Sequence, residues 1–360
     1  MKRFRIVMTG PLPPAVGGMT SVIMALKASS LSQHADIELF ETGKVTPEGR
    51  PLWLGIKTRL HLMVRWWNKF EGPHKPVAHI HTCDGLSYFL DGGLIVLSRL
   101  RGVPVVLHVH GARFDVFLRS LSRVLAWIAY WLARRCAMVI ALSPGWQKEL
   151  FLHWPAADIR VVSNGVYAER TAYAVSAPAG VPKFVFIGHL CQRKGVYVLL
   201  EAAALAREDW TVELLGGEYE PGAKARAEHD IQRLNLKSRC YLRGIVVGEE
   251  KINLLAGAQG FVLPSFHEGL PMALLETMAM GLPSVVTSAG AMAEAVRDGV
   301  DGLVVPPGDA QALADALDTL ARDTALRGRM GAAAAKRWQS LYGVENMVDK
   351  LMVLYAELGR

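Results

Sequence analysis

Gly260-Phe261-Val262-Leu263-Pro264-Ser265-Phe266-His267-Glu268-Gly269-Leu270-Pro271-Met272-Ala273-Leu274-Leu275-Glu276, followed closely by Met278-Ala279-Met280-Gly281-Leu282-Pro283, reads as a strand, a tight loop and a helix. The apolar run 260–263 stops at Pro264, and Pro271 suits the first helical position, where its missing N–H costs nothing. A helix starting there turns free backbone N–H groups toward the strand end, a place that favours an anion such as a diphosphate. Glu268 falls in the loop and Glu276 near the second turn. The two carboxylates therefore reach opposite ends of one ligand, which suits hydroxyl recognition better than a shared proton.

The same alternation extends in both directions. Upstream, strands are predicted at 183–188, 211–216 and 239–243; downstream, at 283–287 and 303–305, with helical patterns between them. An earlier series runs 4–9, 36–41, 77–82, 104–110, 137–142 and 159–163. Residues 166–182 separate the two series with Tyr, Ala, Ser, Pro and Gly in no period, as linkers do. The expected architecture is α/β: two facing, doubly wound Rossmann-like domains with a cleft between them. The predicted boundaries are 1–170 for the first domain, 171–182 for the linker and 183–340 for the second domain. A C-terminal helix, 341–360, is expected to pack back toward the first domain.

Composition narrows the function. A chain of 360 residues that is 51% hydrophobic buries ample core and is too large for a lone binding module. Cys83, Cys136, Cys191 and Cys240 are widely separated without CxxC pairing, which indicates neither a zinc site nor a disulfide framework and suits reduced cytosol. The basic start, Met1-Lys2-Arg3-Phe4-Arg5, is followed by too short an apolar stretch for a signal peptide, so no cleaved leader is expected. The greasiest stretches, 86–100 and 114–133, are broken by Asp91, Arg119 and Arg123 and fall short of a membrane span, leaving a soluble or peripheral protein. Charge divides unevenly: residues 1–172 hold 21 Lys+Arg against 11 Asp+Glu, net +10, and residues 173–360 hold 19 against 22, net −3. An anionic partner meets the first half, and charge alone does not choose among lipid, nucleic acid and a phosphorylated substrate.

The motifs do choose. Gly10-Pro11 to Gly17-Gly18-Met19, His108-Val109-His110-Gly111, Ala141-Leu142-Ser143, Ser163-Asn164-Gly165-Val166, Phe186-Ile187-Gly188 with Arg193-Lys194-Gly195, the two-glutamate segment, and Gly302 to Asp309 follow one another in order. With these the chain resembles, over nearly its whole length, family four of the retaining glycosyltransferases, which have the two-domain GT-B architecture. The resemblance implies that Glu276 binds the donor ribose, that Glu268 and the backbone of Gly269, Leu270, Pro271 and Met272 bind the transferred sugar, and that Lys194 holds the diphosphate. It places His110 near the transferred sugar and the acceptor. Cations and helix-end N–H groups stabilise a leaving diphosphate, so neither cofactor nor metal is expected. The family usually has arginine directly after Gly188, where this chain has His189, which makes no bidentate phosphate contact. Either Arg193 compensates or turnover is weakened.

Gly17 and Gly18 follow the first strand on a proline-rich loop, where missing side chains let backbone approach a ligand. The GxGxxG spacing and following acidic residue of a dinucleotide site are not present, which removes the oxidoreductase reading. His79 and His81 on one strand, and His108 and His110 on another, each point to one face. A metal there needs a third ligand or supporting carboxylate, and the resemblance implies none. Residues 53–70 give Trp53, Ile56, Leu60, Met63, Val64, Trp67 and Phe70 helical spacing, with Lys57, Arg59, Arg65 and Lys69 elsewhere on the wheel. This basic amphipathic helix either docks on the sheet or lies on an anionic bilayer, and the surplus positive charge favours the bilayer.

The expected function is thus retaining transfer of a hexose or related sugar from a nucleotide-diphosphate donor to a lipid-linked or membrane-bound saccharide. The setting is exopolysaccharide, capsule or lipopolysaccharide assembly at the cytoplasmic face of the inner membrane. The first alternative is a non-catalytic nucleotide-sugar-binding subunit. Nucleic-acid binding rests only on the basic half, since no aromatic-basic recognition module is legible, and no nucleic-acid partner is expected.

Overall fold

The structure, a computed structural model, describes residues 4–43, 52–72, 75–168 and 180–358. Of the linker predicted at 171–182, all but 180–182 lies outside the described residues. The chain divides into two compact units, Met1–Gly165 with Val344–Arg360, and Val166–Gly343.

The first unit holds β1 (Phe4–Gly10), β2 (Ala35–Glu41), β3 (Val77–Thr82), β4 (Val105–Val109), β5 (Met138–Ala141) and β6 (Ile159–Val161). They form one parallel sheet in the order β2-β1-β3-β4-β5-β6, with the winding reversing between β1 and β3. Helices on both faces bury β3, β4 and β5 completely, and such strands are normally unbroken apolar runs. Val-Ala-His-Ile-His-Thr departs from that rule: two imidazoles and a hydroxyl lie within a buried strand. The helix Val344–Leu358 belongs to this unit, where the Tyr355 hydroxyl lies 2.6 Å from His79 Nδ1 and Ser30 donates to Glu345.

The second unit repeats the plan with β7 (Lys183–Ile187), β8 (Thr211–Leu215), β9 (Cys240–Gly244), β10 (Gly260–Leu263), β11 (Ser284–Thr287) and β12 (Gly302–Val305). Their parallel order, β12-β11-β10-β7-β8-β9, reverses between β7 and β10, and ligands of such sheets bind beyond the strand ends at that reversal. Among the described residues, the twelve strands all fall within two residues of the predicted positions. Side-chain caps fix several helix starts: Ser143 accepts from Trp146 N ahead of Pro144, and Asp309 accepts from Ala312 N.

The helix Leu52–Asn68 corrects the sequence reading of its faces. Phe70, assigned to the apolar stripe, is buried, and so is Trp66, which was not. Trp66 packs edge-on against Phe40 and Phe70 at centroid distances of 5.0 and 4.9 Å, and its Nε1 donates to Leu94 O and Ser98 Oγ. Trp67 is half-buried with Arg101 over its ring, Arg65 sits over Phe40, and Lys69 pairs with Glu38. Arg59 is half-buried near Asp91, so the basic residues are largely engaged within the unit rather than spread on a free face. What stays open is narrower: Trp53, Ile56, Leu60 and Val64, at one-turn spacing and each more than half exposed.

Candidate active site

In the second unit, the loops after β7 and β10 carry most of the residues singled out by sequence. The chain leaves β7 at Gly188, makes a single 3-10 turn at Gln192–Lys194 and enters the helix Val196–Leu205 through Gly195. Gly195 has φ +72°, and a Cβ there would lie 1.9 Å from Pro264 O, so only glycine lets the two loops meet this closely. Phe266 N donates to Arg193 O at 2.8 Å and locks the approach. Gly290 clamps the other side, with φ +58° and space for no Cβ beside Glu268 O.

The two loops are joined by charge. Lys194 Nζ lies 2.6 Å from Glu268 Oε1, which also accepts from Ser265 Oγ at 2.8 Å, and Arg193 stands 4.0 Å away while donating to His267 O. Glu268 is buried and Lys194 nearly so, which strengthens their interaction well beyond that of a surface pair. Gly269 to Met272 are buried and lead into the helix Met272–Ala279, with Pro271 as its N-cap rather than its first helical residue. Glu276, on that helix, pairs with Lys251 Nζ at 2.6 Å. Each carboxylate therefore has its own lysine. Sequence reading missed Lys251: it sits on Gly248–Ala256, whose Glu249 and Glu250 in the first turn give that helix the look of an ordinary solvated face. Ser265, inside the motif but given no role by it, and Thr287, which donates to Ser265 O at 2.5 Å, were not picked out either.

His189 lies beside this cluster, its ring 5.3 Å from that of Tyr219. Desolvation, then the charges of Lys194 and Arg193, lower its pKa, so the imidazole is neutral near pH 7 and adds no cation where the family has arginine.

The first unit holds the remaining residues. Gly17 is the N-cap of the helix Gly18–Ala28 in extended conformation; a Cβ there would meet open space, so packing does not demand glycine. His79, His81, His108 and His110 stack on one sheet face, because β3 and β4 pair with His81 opposite His108. His79 Nε2 contacts His108 Nδ1 at 3.2 Å and His81 Nδ1 contacts His110 Nε2 at 2.9 Å. Burial lowers all four, His79 to about 3, so the cluster is neutral. His79, His81 and His108 each offer a nitrogen, all within 4.8 Å of one another, and form the candidate metal trio among the described residues.

With this geometry in view, comparison with known proteins identifies the class. A family profile described as Glycosyltransferase Family 4 matches residues 18–170, and one described as Glycosyl transferases group 1 matches residues 181–323. The chain is 33% identical to the D-inositol 3-phosphate glycosyltransferase of Arthrobacter sp. (strain FB24), over 89% of this chain and 85% of that one. It is 28% identical to the UDP-Gal:alpha-D-GlcNAc-diphosphoundecaprenol alpha-1,3-galactosyltransferase of Escherichia coli, over 73% of this chain and 72% of that one. Its fold matches sucrose-phosphate synthase from Thermosynechococcus elongatus with a TM-score of 0.81 at 20% identity, over 99% of each chain. The chain belongs to glycosyltransferase family 4 and has the GT-B fold.

Proposed function

We propose that this chain transfers a hexose, with retention at the anomeric carbon, from a nucleoside-diphosphate sugar to a lipid-linked or membrane-bound saccharide. The observation that carries the donor side is the Lys194–Glu268 pair at 2.6 Å, joining two loops at the reversal of strand order beside a helix start. In this reading Lys194, Arg193 and the N–H groups of Gly269 to Met272 take the diphosphate, Glu268 takes sugar hydroxyls and Glu276 the ribose. His110 hydrogen-bonds at the reacting centre, and the leaving phosphate assists attack by the acceptor on the same face. Fixed cations neutralise the leaving group, so transfer proceeds in excess EDTA and the product keeps the donor's anomeric configuration. Incubation with UDP-, GDP- and ADP-sugars and a panel of acceptors, with NMR of the product, tests this. Loss of activity in chelator restored by a divalent ion contradicts the metal-free mechanism, and an inverted product contradicts retention.

The acceptor side rests on other support. The name of the Escherichia coli relative specifies a diphosphoundecaprenol-linked acceptor, whereas that of the Arthrobacter relative specifies D-inositol 3-phosphate. A lipid-linked acceptor agrees with the exposed stripe Trp53-Ile56-Leu60-Val64 and with the exposed Val124 and Trp127 on the helix Arg123–Ala133, which lies in the greasy stretch 114–133. The helix Leu86–Leu100 lies against both of these helices. No helix among the described residues is long and apolar enough to cross a membrane. Each exposed apolar side chain gains about 1 kcal/mol or more on entering a bilayer, and the +10 of residues 1–172 adds attraction to anionic headgroups. Wild-type protein is expected to float with anionic liposomes at low salt, and Trp53→Glu/Leu60→Glu to remain in solution while folded. Equal flotation of both proteins, or none by the wild type, overturns the membrane assignment.

A further inference from the structure

The four stacked imidazoles hold few enough protons to be counted. A neutral imidazole carries one N–H, and the contacts of its two nitrogens show which of them has it. His81 Nδ1 lies 2.9 Å from His110 Nε2, while His81 Nε2 is buried without a partner among the described residues. A proton on Nε2 would be a buried N–H with nothing to accept it, the rarer and costlier kind of orphan; a proton on Nδ1 is used in the short contact. His81 is therefore the donor and His110 Nε2 the acceptor. His110's own proton then sits on Nδ1, the nitrogen that the His81 contact leaves over.

The neighbouring pair repeats the pattern. His108 Nε2 is likewise buried and unpartnered, which puts the proton on His108 Nδ1 and makes it the donor to His79 Nε2 at 3.2 Å. His79 then carries its proton on Nδ1 and donates to the Tyr355 hydroxyl at 2.6 Å. One consistent assignment satisfies all three contacts of the cluster, and it ties His79 to the helix Val344–Leu358.

We propose that His81 is a positioning residue that fixes His110 as the Nδ1–H tautomer, so that His110 meets its ligand as a neutral hydrogen-bond donor and not as a base. The logic is that of any catalytic imidazole whose second nitrogen is held by a fixed partner. His81 is 2% exposed and its Nδ1 contacts His110, so its action passes through His110. The inference rests on the placement of His110 at the reacting centre, and its test separates the two.

Asparagine at this position keeps an amide near the place of Nδ1, glutamine moves it toward Nε2, and leucine fills the volume with no polar group. His81→Asn is expected to retain most of kcat, and His81→Leu and His81→Gln to lose about ten- to hundredfold with donor KM little changed, the range typical of groups that orient another ligand group. In parallel, two-bond nitrogen–proton NMR of the wild-type ring, read without any substrate, is expected to show His110 protonated at Nδ1, and His81→Leu to release it to a tautomer mixture. A His81→Leu enzyme with wild-type kcat, or a wild-type His110 protonated at Nε2, overturns the proposal. So does stoichiometric divalent metal on His79, His81 and His108 in elemental analysis, since His81 would then be a ligand. If His110→Ala leaves kcat unchanged, the placement of His110 fails instead, and the tautomer measurement still stands on its own.

Discussion

Lys194→Ala lowers kcat by about a hundred- to a thousandfold, the usual loss when one fixed positive group facing a developing negative charge is removed. Two features of the site set that size. Lys194 is one of the least exposed lysines near the cluster, at 14% for its side chain, so little solvent screens its charge. His189, which occupies the family's arginine position, is neutral and cannot substitute. The fold survives the change, because Glu268 keeps Ser265 at 2.8 Å and Arg193 at 4.0 Å; a stability loss of about 1–3 kcal/mol is expected for weakening the partnership of a buried carboxylate. Glu276→Ala behaves differently, raising donor KM with a smaller change in kcat, because a ribose contact is made equally in the ground and transition states. Steady-state kinetics on both variants, with melting curves as a control on folding, make the comparison. Unchanged kcat in Lys194→Ala removes the lysine from the mechanism.

Acidification unfolds the first unit early. His79, His81, His108 and His110 are neutral in the folded state, with His79 and His110 lowered to about 3 by burial, whereas in the unfolded chain each binds a proton near its ordinary value of about 6.5. The unfolded state therefore binds more protons below about pH 6.5, and stability present above that value is lost progressively as pH falls toward the folded values. Asp91 acts in the opposite sense: burial raises it to about 7, so the folded state holds its proton over the same window. Four imidazoles less one carboxyl leave about three protons, a slope of about 4 kcal/mol per pH unit through the acid range. Hydrogen-exchange mass spectrometry on peptides covering β3 and β4, stepped from neutral to about pH 4.5, reports on this unit alone. Protection that stays level across that range contradicts burial of the neutral cluster.

The strands were legible because short β-branched runs ended by Gly or Pro have few other readings, and the loop after β10 because its prolines and glycines fix where a helix starts. Partners across space were not legible. The periodicity of 53–70 announced an amphipathic helix, but which face goes inward depends on Leu94 O and Ser98 Oγ receiving the Trp66 N–H, and no local pattern encodes that. Likewise the His79/His81 and His108/His110 pairs could each be put on one face from the period of two, whereas the contact of His81 with His110 needs the register of β3 against β4. Lys251 escaped notice because a lysine one turn into a charged helix looks solvated until Glu276 is seen beside it.

The central claim is that the second unit holds a nucleoside diphosphate through Lys194 and Glu276, and calorimetric titration tests it without needing the acceptor. UDP-, GDP- and ADP-sugars are titrated into wild type, Lys194→Ala and Glu276→Ala. One donor class is expected to bind the wild type at one site per chain, with affinity at least about tenfold weaker in each variant, the loss expected for one charged or charge-assisted contact of about 1.4 kcal/mol or more. Donor binding that is equal in all three proteins, or no heat of binding to the wild type from any of the donors, contradicts it.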